Sequence, residues 1–280
     1  MSSRLFTRLA QKKPAFGAWH MTAGTEMVEI MGRAGLDFVC ADMMVASTNW
    51  ESAANIALAC RATGMTPMIR LGGQPWSGGG NFGFAADVER AFSVGFQSIM
   101  ISLASPEEVE VLVRAAEKRA HYLTWNRRFS APIGPAEKAL DQELILAQRE
   151  TLVFPLIESR NAWERLDEIL AVKGLQAVML GMGDLSRELL GTDALVPGYQ
   201  RADTDFMKII ETAMAAGQKR NVPVFANFYT RRDSPAEFAK KARWAWDIGM
   251  PLIFLDFPSS VVMVFYETMI TLMRKEFGEA

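Results

Sequence analysis

The feature that most constrains the fold is a repeated alternation of short apolar runs with longer segments of helical periodicity. The apolar runs are continuous and lack strict polar–apolar alternation, which is typical of strands covered on both faces in a parallel sheet. Eight such pairs in 280 residues favour a closed (β/α)8 barrel over an open doubly wound sheet. The predicted strands are residues 15–21, 37–43, 66–72, 98–103, 151–158, 176–183, 222–228 and 252–257.

No linker or low-complexity stretch divides the chain, so residues 1–280 are predicted to form a single domain. Two interruptions stand out. A glycine-rich loop at 72–84 follows the third strand, at the end of the barrel where active sites are built. An insertion at about 120–150 follows a helix, so it should begin on the opposite face.

Composition favours a small-molecule partner. Net charge is −2, from 30 basic and 32 acidic residues, which leaves no surplus to hold nucleic acid or an anionic membrane. The N-terminus is not apolar enough for a signal peptide, and no run approaches the roughly 20 apolar residues of a membrane helix. Cys40 and Cys60 are interpreted as buried thiols. We therefore expect a soluble, cytoplasmic protein.

Polar residues at the carboxyl ends of barrel strands are the candidates for chemistry. Two carboxylates on adjacent strands can bind a hard divalent cation, and an arginine nearby can bind a substrate carboxylate with two hydrogen bonds. Together they suit a 2-oxo acid held on a metal, although each residue alone is more often a cap or an ion-pair partner. The candidates are His20, Asp42, Arg70, Glu158, Asp184, Asn227 and Asp256.

Two longer motifs make the sequence recognisable. F-P-L-I-E-S-R-N-A at 154–162 and G-M-G-D-L-S at 181–186 resemble the class II, metal-dependent 2-oxo acid aldolases of the HpcH/HpaI family, of the 4-hydroxy-2-oxoheptanedioate aldolase type. Shorter stretches at 17–19, 34–39 and 68–70 match in the same order. The resemblance extends over nearly the whole chain and implies a TIM barrel of the phosphoenolpyruvate/pyruvate-binding type.

The resemblance also implies roles for individual residues. Glu158 and Asp184 would be the ligands of a divalent metal cation (Mg2+, Mn2+ or Co2+), and Arg70 would contact the pyruvate moiety. Asp42 is expected to hold a metal-bound water. The expected substrate contacts are Arg70, Trp19, Gly181, Gly183 and Trp76.

The last helix bears on assembly. Family members are hexamers whose subunits exchange this helix, which implies a homo-oligomer. The segment S-S-V-V-M-V-F-Y-E-T-M-I-T-L at 259–272 is apolar nearly all round and fits that exchange. The alternative is an ordinary packed eighth helix.

Departures from the family pattern concern the proton chemistry. Family aldolases carry D-G-E-H after the second strand, and the histidine acts in an acid/base pair; here Val45 occupies its position, and Ser93 occupies that of its aspartate partner. The family's G-x-R-G segment is not recognisable, and Arg127 or Arg128 would have to substitute.

His20 is then the best candidate for proton transfer, because it ends the first strand and an imidazole titrates near neutral pH. The alternative is a structural histidine packed against Trp19. The aromatic residues Trp76, Phe82 and Phe84 would cover an apolar or aromatic substrate tail, or else form a small cluster within their own loop.

Three classes of function remain open at this stage. The first is an aldolase that acts through the enolate of a pyruvate-type 2-oxo acid, with an oxaloacetate-type decarboxylase as a close variant. The second is a hydratase or hydrolase that uses a metal-bound water. The third is a non-catalytic oxo-acid-binding protein, which the missing acid/base pair favours.

Overall fold

Eight parallel strands form one sheet in the computed structural model, which describes residues 3–73, 83–118, 149–191, 204–226, 234–255 and 257–278. The strand order is β7-β6-β5-β4-β3-β2-β1-β8, and β7 also contacts β8, so the sheet curves into a nearly closed barrel. This confirms the predicted (β/α)8 TIM-barrel fold. The strands are β1 (Ala15–His20), β2 (Phe38–Asp42), β3 (Thr66–Leu71), β4 (Ser98–Ser102), β5 (Leu152–Ile157), β6 (Val178–Leu180), β7 (Val224–Ala226) and β8 (Leu252–Leu255).

Helices connect the strands, with some departures from the predicted pattern. The stretch after β5 is not one helix but two short ones, divided at Arg165, and a helix that the periodicity did not predict follows β6 directly. Among the described helices none is long and apolar enough to cross a membrane. The helices are α1 (Arg4–Ala10), α2 (Glu26–Arg33), α3 (Trp50–Ala62), α4 (Ala85–Val94), α5 (Pro106–Glu117), α6 (Arg160–Glu164), α7 (Leu166–Leu170), α8 (Met182–Leu190), α9 (Thr204–Arg220), α10 (Pro235–Asp247) and α11 (Pro258–Glu276).

The first helix, α1, lies across the end of the barrel where the strands begin. Leu5 is fully buried there, and its N–H donates to Thr66 Oγ1 at the start of β3 over 3.1 Å. Arg4 Nη1 donates to the carbonyl of Leu36 over 2.8 Å. This end is therefore covered by the chain itself.

Aromatic rings fill the middle of the barrel. The ring of Phe254 packs edge-on against Phe38, with 4.9 Å between centroids, and stacks on Phe225 at 6.2 Å. Gly17 leaves the room for this packing, because a Cβ there would lie 2.3 Å from the Phe38 ring. The interior is thus apolar, and polar side chains gather at the carboxyl ends of the strands.

Candidate active site

Glu158 follows β5 and is almost entirely buried, with 2% of its surface exposed. The hydroxyl of Ser102, at the end of the neighbouring strand β4, donates a hydrogen bond to Glu158 Oε1. On the other side lies Gly181, where an added Cβ would come within 2.8 Å of Glu158 Oε2. The carboxylate is therefore fitted closely between the ends of β4 and β6.

The electrostatic environment of Glu158 disfavours its negative charge. Burial raises the pKa of Glu158 to about 7, while the hydrogen bond from Ser102 and the charge of Arg70 act in the opposite direction. The negative charges of Asp184 and Asp42 add to the increase in this pKa. A positive charge beside Glu158 would relieve the cost of keeping the carboxylate ionised.

Asp184 lies in the first turn of α8, directly after β6. Its carboxylate is partly exposed and forms an ion pair with Arg187, with 3.4 Å between Oδ1 and Nη1. Within the described ranges, no third histidine, cysteine or acidic side chain joins Glu158 and Asp184 in a metal-binding group. Two carboxylates with open positions fit a hard divalent cation that takes its other ligands from water and substrate oxygens.

Arg70, at the end of β3, is held from two sides. Its Nε donates to Asp42 Oδ2 over 2.7 Å and its Nη2 pairs with the same oxygen, while the guanidinium lies 4.8 Å from the centroid of the Trp19 ring. Asp42 Oδ1 accepts the backbone N–H groups of Met44 and Val45, each over 2.8 Å. Asp42 therefore orients Arg70 and the chain that follows β2.

His20 does not share this pocket. Successive strand residues face opposite sides, so the contact between Trp19 and Arg70 directs His20 away from the barrel interior. His20 Nε2 lies 2.8 Å from the carbonyl oxygen of Gly24, which can only accept, so this nitrogen carries the proton. Burial lowers the pKa of His20, and that hydrogen bond partly offsets the effect. Proton transfer by His20 stays a prediction, and the geometry favours a structural role.

The two positions that depart from the family's acid/base pair lie at opposite ends of one barrel. Val45 follows β2 at the mouth and is 65% exposed. Ser93 lies in the last turn of α4, which leads to the start of β4, and its hydroxyl donates to the carbonyl of Glu89 over 3.0 Å. Within one subunit Ser93 therefore has no part in the pocket around Glu158.

Other candidates have different outcomes. Phe84 is 4% exposed and packs in the core, so its covering of a substrate tail stays a prediction. Ser102 is not among the residues that the sequence indicates, because a serine at a strand end carries neither a charge nor a metal-binding or titrating group that would distinguish it. Trp76, Phe82, Arg127, Arg128, Asn227 and Asp256 lie outside the described residues.

Comparison with known proteins gives a consistent picture. The model of the HpcH/HpaI aldolase/citrate lyase family matches residues 15–255. A hydroxypyruvate/pyruvate aldolase of Roseobacter denitrificans is 26% identical over 186 residues, which cover 65% of this chain and 67% of that protein.

Solved structures agree on the fold. The crystal structure of an HpcH/HpaI aldolase from Desulfitobacterium hafniense superposes with a TM-score of 0.74 at 20% identity, covering 98% of this chain and 97% of that one. A citrate lyase beta subunit from M. tuberculosis, complexed with oxaloacetate and magnesium, superposes with a TM-score of 0.57 at 18% identity, covering 90% of this chain and 96% of that one.

Proposed function

The chain belongs to the HpcH/HpaI aldolase/citrate lyase family, and we propose that it is a divalent-metal-dependent carbon–carbon lyase, an aldolase acting through the enolate of a pyruvate-type 2-oxo acid. The observation that carries this proposal is Glu158. It is a buried carboxylate with a pKa raised to about 7, and Asp184 adds a second negative charge from the first turn of α8, directly after β6. Such a pair favours a bound cation.

Glu158 and Asp184 would hold Mg2+, Mn2+ or Co2+ through oxygen. When bound, the cation supplies a Lewis acid for the keto oxygen of the substrate. The magnesium and oxaloacetate in the M. tuberculosis citrate lyase beta subunit support this assignment by analogy.

Arg70 would bind the substrate carboxylate. Its Nε and Nη2 are paired with Asp42, so the guanidinium is fixed, while Nη1 makes no hydrogen bond to the described residues. Trp19 Nε1 is buried and also lacks a hydrogen-bond partner in the described part of the chain, so it can donate to a substrate oxygen. Gly181, Gly183 and Trp76 complete the proposed substrate contacts.

Decarboxylation of an oxaloacetate-type substrate is a second candidate reaction. It is favoured because Val45 occupies the position of the family's histidine, and the polar side chains nearby are engaged elsewhere. Asp42 is engaged by Arg70 and two backbone N–H groups, and His20 faces away from the pocket. An aldol cleavage needs a base for the substrate hydroxyl, whereas loss of carbon dioxide from a 3-carboxylate does not. Both reactions lead to the same pyruvate enolate.

The mouth of the barrel also supports an apolar or aromatic co-substrate. Val45 is 65% exposed and Met44 is partly exposed, in the stretch where family aldolases carry polar residues. We expect faster retro-aldol cleavage of 4-aryl than of polar aliphatic 4-hydroxy-2-oxo acids. Equal or faster rates on the polar set would remove this part of the proposal.

Assembly into a homo-oligomer, a hexamer by family resemblance, completes the proposal. In α11, which runs from Pro258 to Glu276, only Ser260 is buried, while Phe265 is 59% and Leu272 is 56% exposed. An apolar helix left this open favours burial against a second copy. Light scattering should give a mass well above that of one chain, and a Phe265→Lys/Leu272→Lys variant should lower it.

The central test follows pyruvate release by coupled reduction, with a 4-hydroxy-2-oxo acid or oxaloacetate as substrate. Turnover should require added Mn2+, stop with chelator, and fall by about 10³-fold in Glu158→Gln, because several kcal/mol of charge stabilisation are lost. The matched control is Glu150→Gln, a buried acid at the other end of the barrel. Chelator-resistant turnover would contradict the proposal, and thermal stabilisation by Mn2+ and pyruvate without turnover would favour the non-catalytic binding protein.

A further inference from the structure

We propose that Ser102 is a positioning residue that holds Oε1 of Glu158, so that Oε2 is turned toward the segment carrying Asp184, where a cation would bind. The inference rests on the proposed function and adds which residue orients the carboxylate of Glu158. Ser102 is fully buried at the end of β4, and its hydroxyl donates to Glu158 Oε1.

The Ser102 hydroxyl has two neighbours but only one proton. The first is Glu158 Oε1 and the second is the sulfur of Met44, 3.7 Å from Oγ. A carboxylate is a much stronger acceptor than a thioether, so the proton is directed to Oε1. The hydrogen bond then fixes the side-chain rotation of Glu158, which the apolar barrel interior alone would leave less defined.

The second oxygen faces the other way. Oε2 lies on the side of Gly181, where an added Cβ would approach to 2.8 Å. Gly181 caps α8, and Asp184 lies in the first turn of that helix. With Oε1 held by Ser102 and Oε2 directed to the segment that carries Asp184, Glu158 would be oriented to share a cation with Asp184.

The backbone of Ser102 also meets the start of the glycine-rich loop. A Cβ at Gly73 would lie 2.0 Å from the Ser102 carbonyl oxygen, so only glycine fits against the end of β4. At the preceding position, Gly72, an added Cβ meets nothing within 4 Å. A change at Gly73 should therefore displace Ser102 and, through its hydroxyl, Glu158, whereas the same change at Gly72 should not.

The test measures Mn2+ affinity of the metal-stripped protein by the loss of the free-Mn2+ EPR signal. Ser102→Ala should raise the Kd for Mn2+ by about 10–100-fold, the usual effect of removing a hydrogen bond that orients a metal ligand. Ser102→Thr keeps the hydroxyl and should recover at least part of the affinity. The matched control is Ser98→Ala on the same strand, since Ser98 is also fully buried but its hydroxyl has no partner in the described part of the chain.

The outcomes separate this proposal from the function on which it rests. Wild-type affinity in a folded Ser102→Ala variant, or no recovery in a Ser102→Thr variant with the wild-type Tm, would overturn the positioning role alone. Absence of Mn2+ binding by the wild-type protein would overturn the proposed function instead. Should Ser102→Ala not fold, the pair Gly73→Ala and Gly72→Ala decides: weaker binding only at Gly73 supports the proposal, and equal binding refutes it.

Discussion

Two buried acids at one end of the barrel, Asp37 and Glu150, differ from Glu158 at the other end in the hydrogen-bond donors that they receive. At the end where the strands begin, Asp37 accepts the backbone N–H of Phe16 over 2.9 Å and pairs with Arg8 at 3.6 Å. Glu150, at the same end, accepts Gln97 Nε2 over 3.1 Å and the backbone N–H of Ser3. These acids link the N-terminal segment to the starts of the strands, and protein groups nearby donate hydrogen bonds to their carboxylates.

At the opposite end, Glu158 is buried just as deeply, but among the described residues it receives one hydrogen bond, from the hydroxyl of Ser102. Burial raises its pKa to about 7, and the nearby negative charges of Asp184 and Asp42 add to the increase. The difference teaches that burial alone does not mark a functional acid. What distinguishes Glu158 is burial with a single donor among the described residues, at the end of the barrel where the strands finish.

The largest contrast should come from the two arginines that pair with buried aspartates. Arg70→Ala removes the proposed carboxylate-binding group and leaves Asp42, which is fully buried, with only backbone donors. We expect kcat/KM for the 2-oxo acid to fall by about 10²-fold or more, the scale for truncating one partner of a buried charge pair. Steady-state kinetics at saturating Mn2+ measure this.

The control is Arg8→Ala at the closed end, where the arginine side chain is 31% exposed. A partly exposed pair contributes about 1 kcal/mol or less, so this variant should lose a little stability and keep its kcat/KM within about twofold. Similar kinetic losses in both variants would mean that the two ends do not differ in the way proposed.

A second contrast uses glycine. Gly181→Ala places a Cβ 2.7 Å from Glu158 Cβ and 2.8 Å from Oε2, so Glu158 must move. We expect the Mn2+ Kd to rise by about 10–100-fold, as for other disturbances of groups that orient metal ligands. Calorimetric titration measures it, with Gly24→Ala, where an added Cβ meets nothing within 4 Å, as the control. Unchanged Mn2+ affinity in Gly181→Ala would contradict the assignment of Glu158.

The pH dependence of metal binding should also separate the two ends. The pKa of Glu158 is raised to about 7, so below that pH a proton competes with the cation for the carboxylate. Apparent Mn2+ affinity should therefore rise with pH up to about 7, by at most about tenfold per pH unit for one proton, and flatten above it. Glu150→Gln should keep this profile, and equal affinities at pH 6 and pH 8 would rule it out.

The sequence was sufficient to predict the barrel because most strands are continuous apolar runs, and the structure has eight parallel strands in the sequential order that such a barrel requires. The sequence did not predict α8, because the sixth predicted strand, 176–183, runs through both glycines, whereas the strand ends at Leu180 and α8 starts at Met182. The pairing of Arg70 with Asp42 follows from the register of β2 and β3, in which these residues are partners. No residue pattern along a single strand contains that information.

The site could be predicted in part. Glu158, Asp184 and Arg70 come from strand ends and motifs, and their roles remain predictions. The orientation of His20 was within reach of the sequence, since Trp19 and His20 are consecutive on a strand and must face opposite sides. The role of Ser102 was not, because a serine at a strand end gains meaning only from the carboxylate beside it.

The smallest expected effect is on the free energy of unfolding, which Glu158→Gln and Glu150→Gln should change in opposite directions. In the metal-free protein the raised pKa of Glu158 means that folding is favoured while the group is protonated, and that this advantage is lost as pH rises from about 4.5 through about 7. At pH 8 Glu158→Gln should therefore raise the free energy of unfolding, by about 1–3 kcal/mol. Glu150→Gln should lower it by about 1–3 kcal/mol, because donors now satisfied by a carboxylate would face an amide.

Denaturant unfolding of the metal-free protein at pH 8 and pH 5 measures both changes. At pH 5 the gain from Glu158→Gln should shrink, because the wild-type Glu158 side chain is then largely protonated. Destabilisation by both substitutions at pH 8 would mean that Glu158 is a structural acid like Glu150. Glu158 would then have no need of a cation, and the proposed difference between the two ends of the barrel would be refuted.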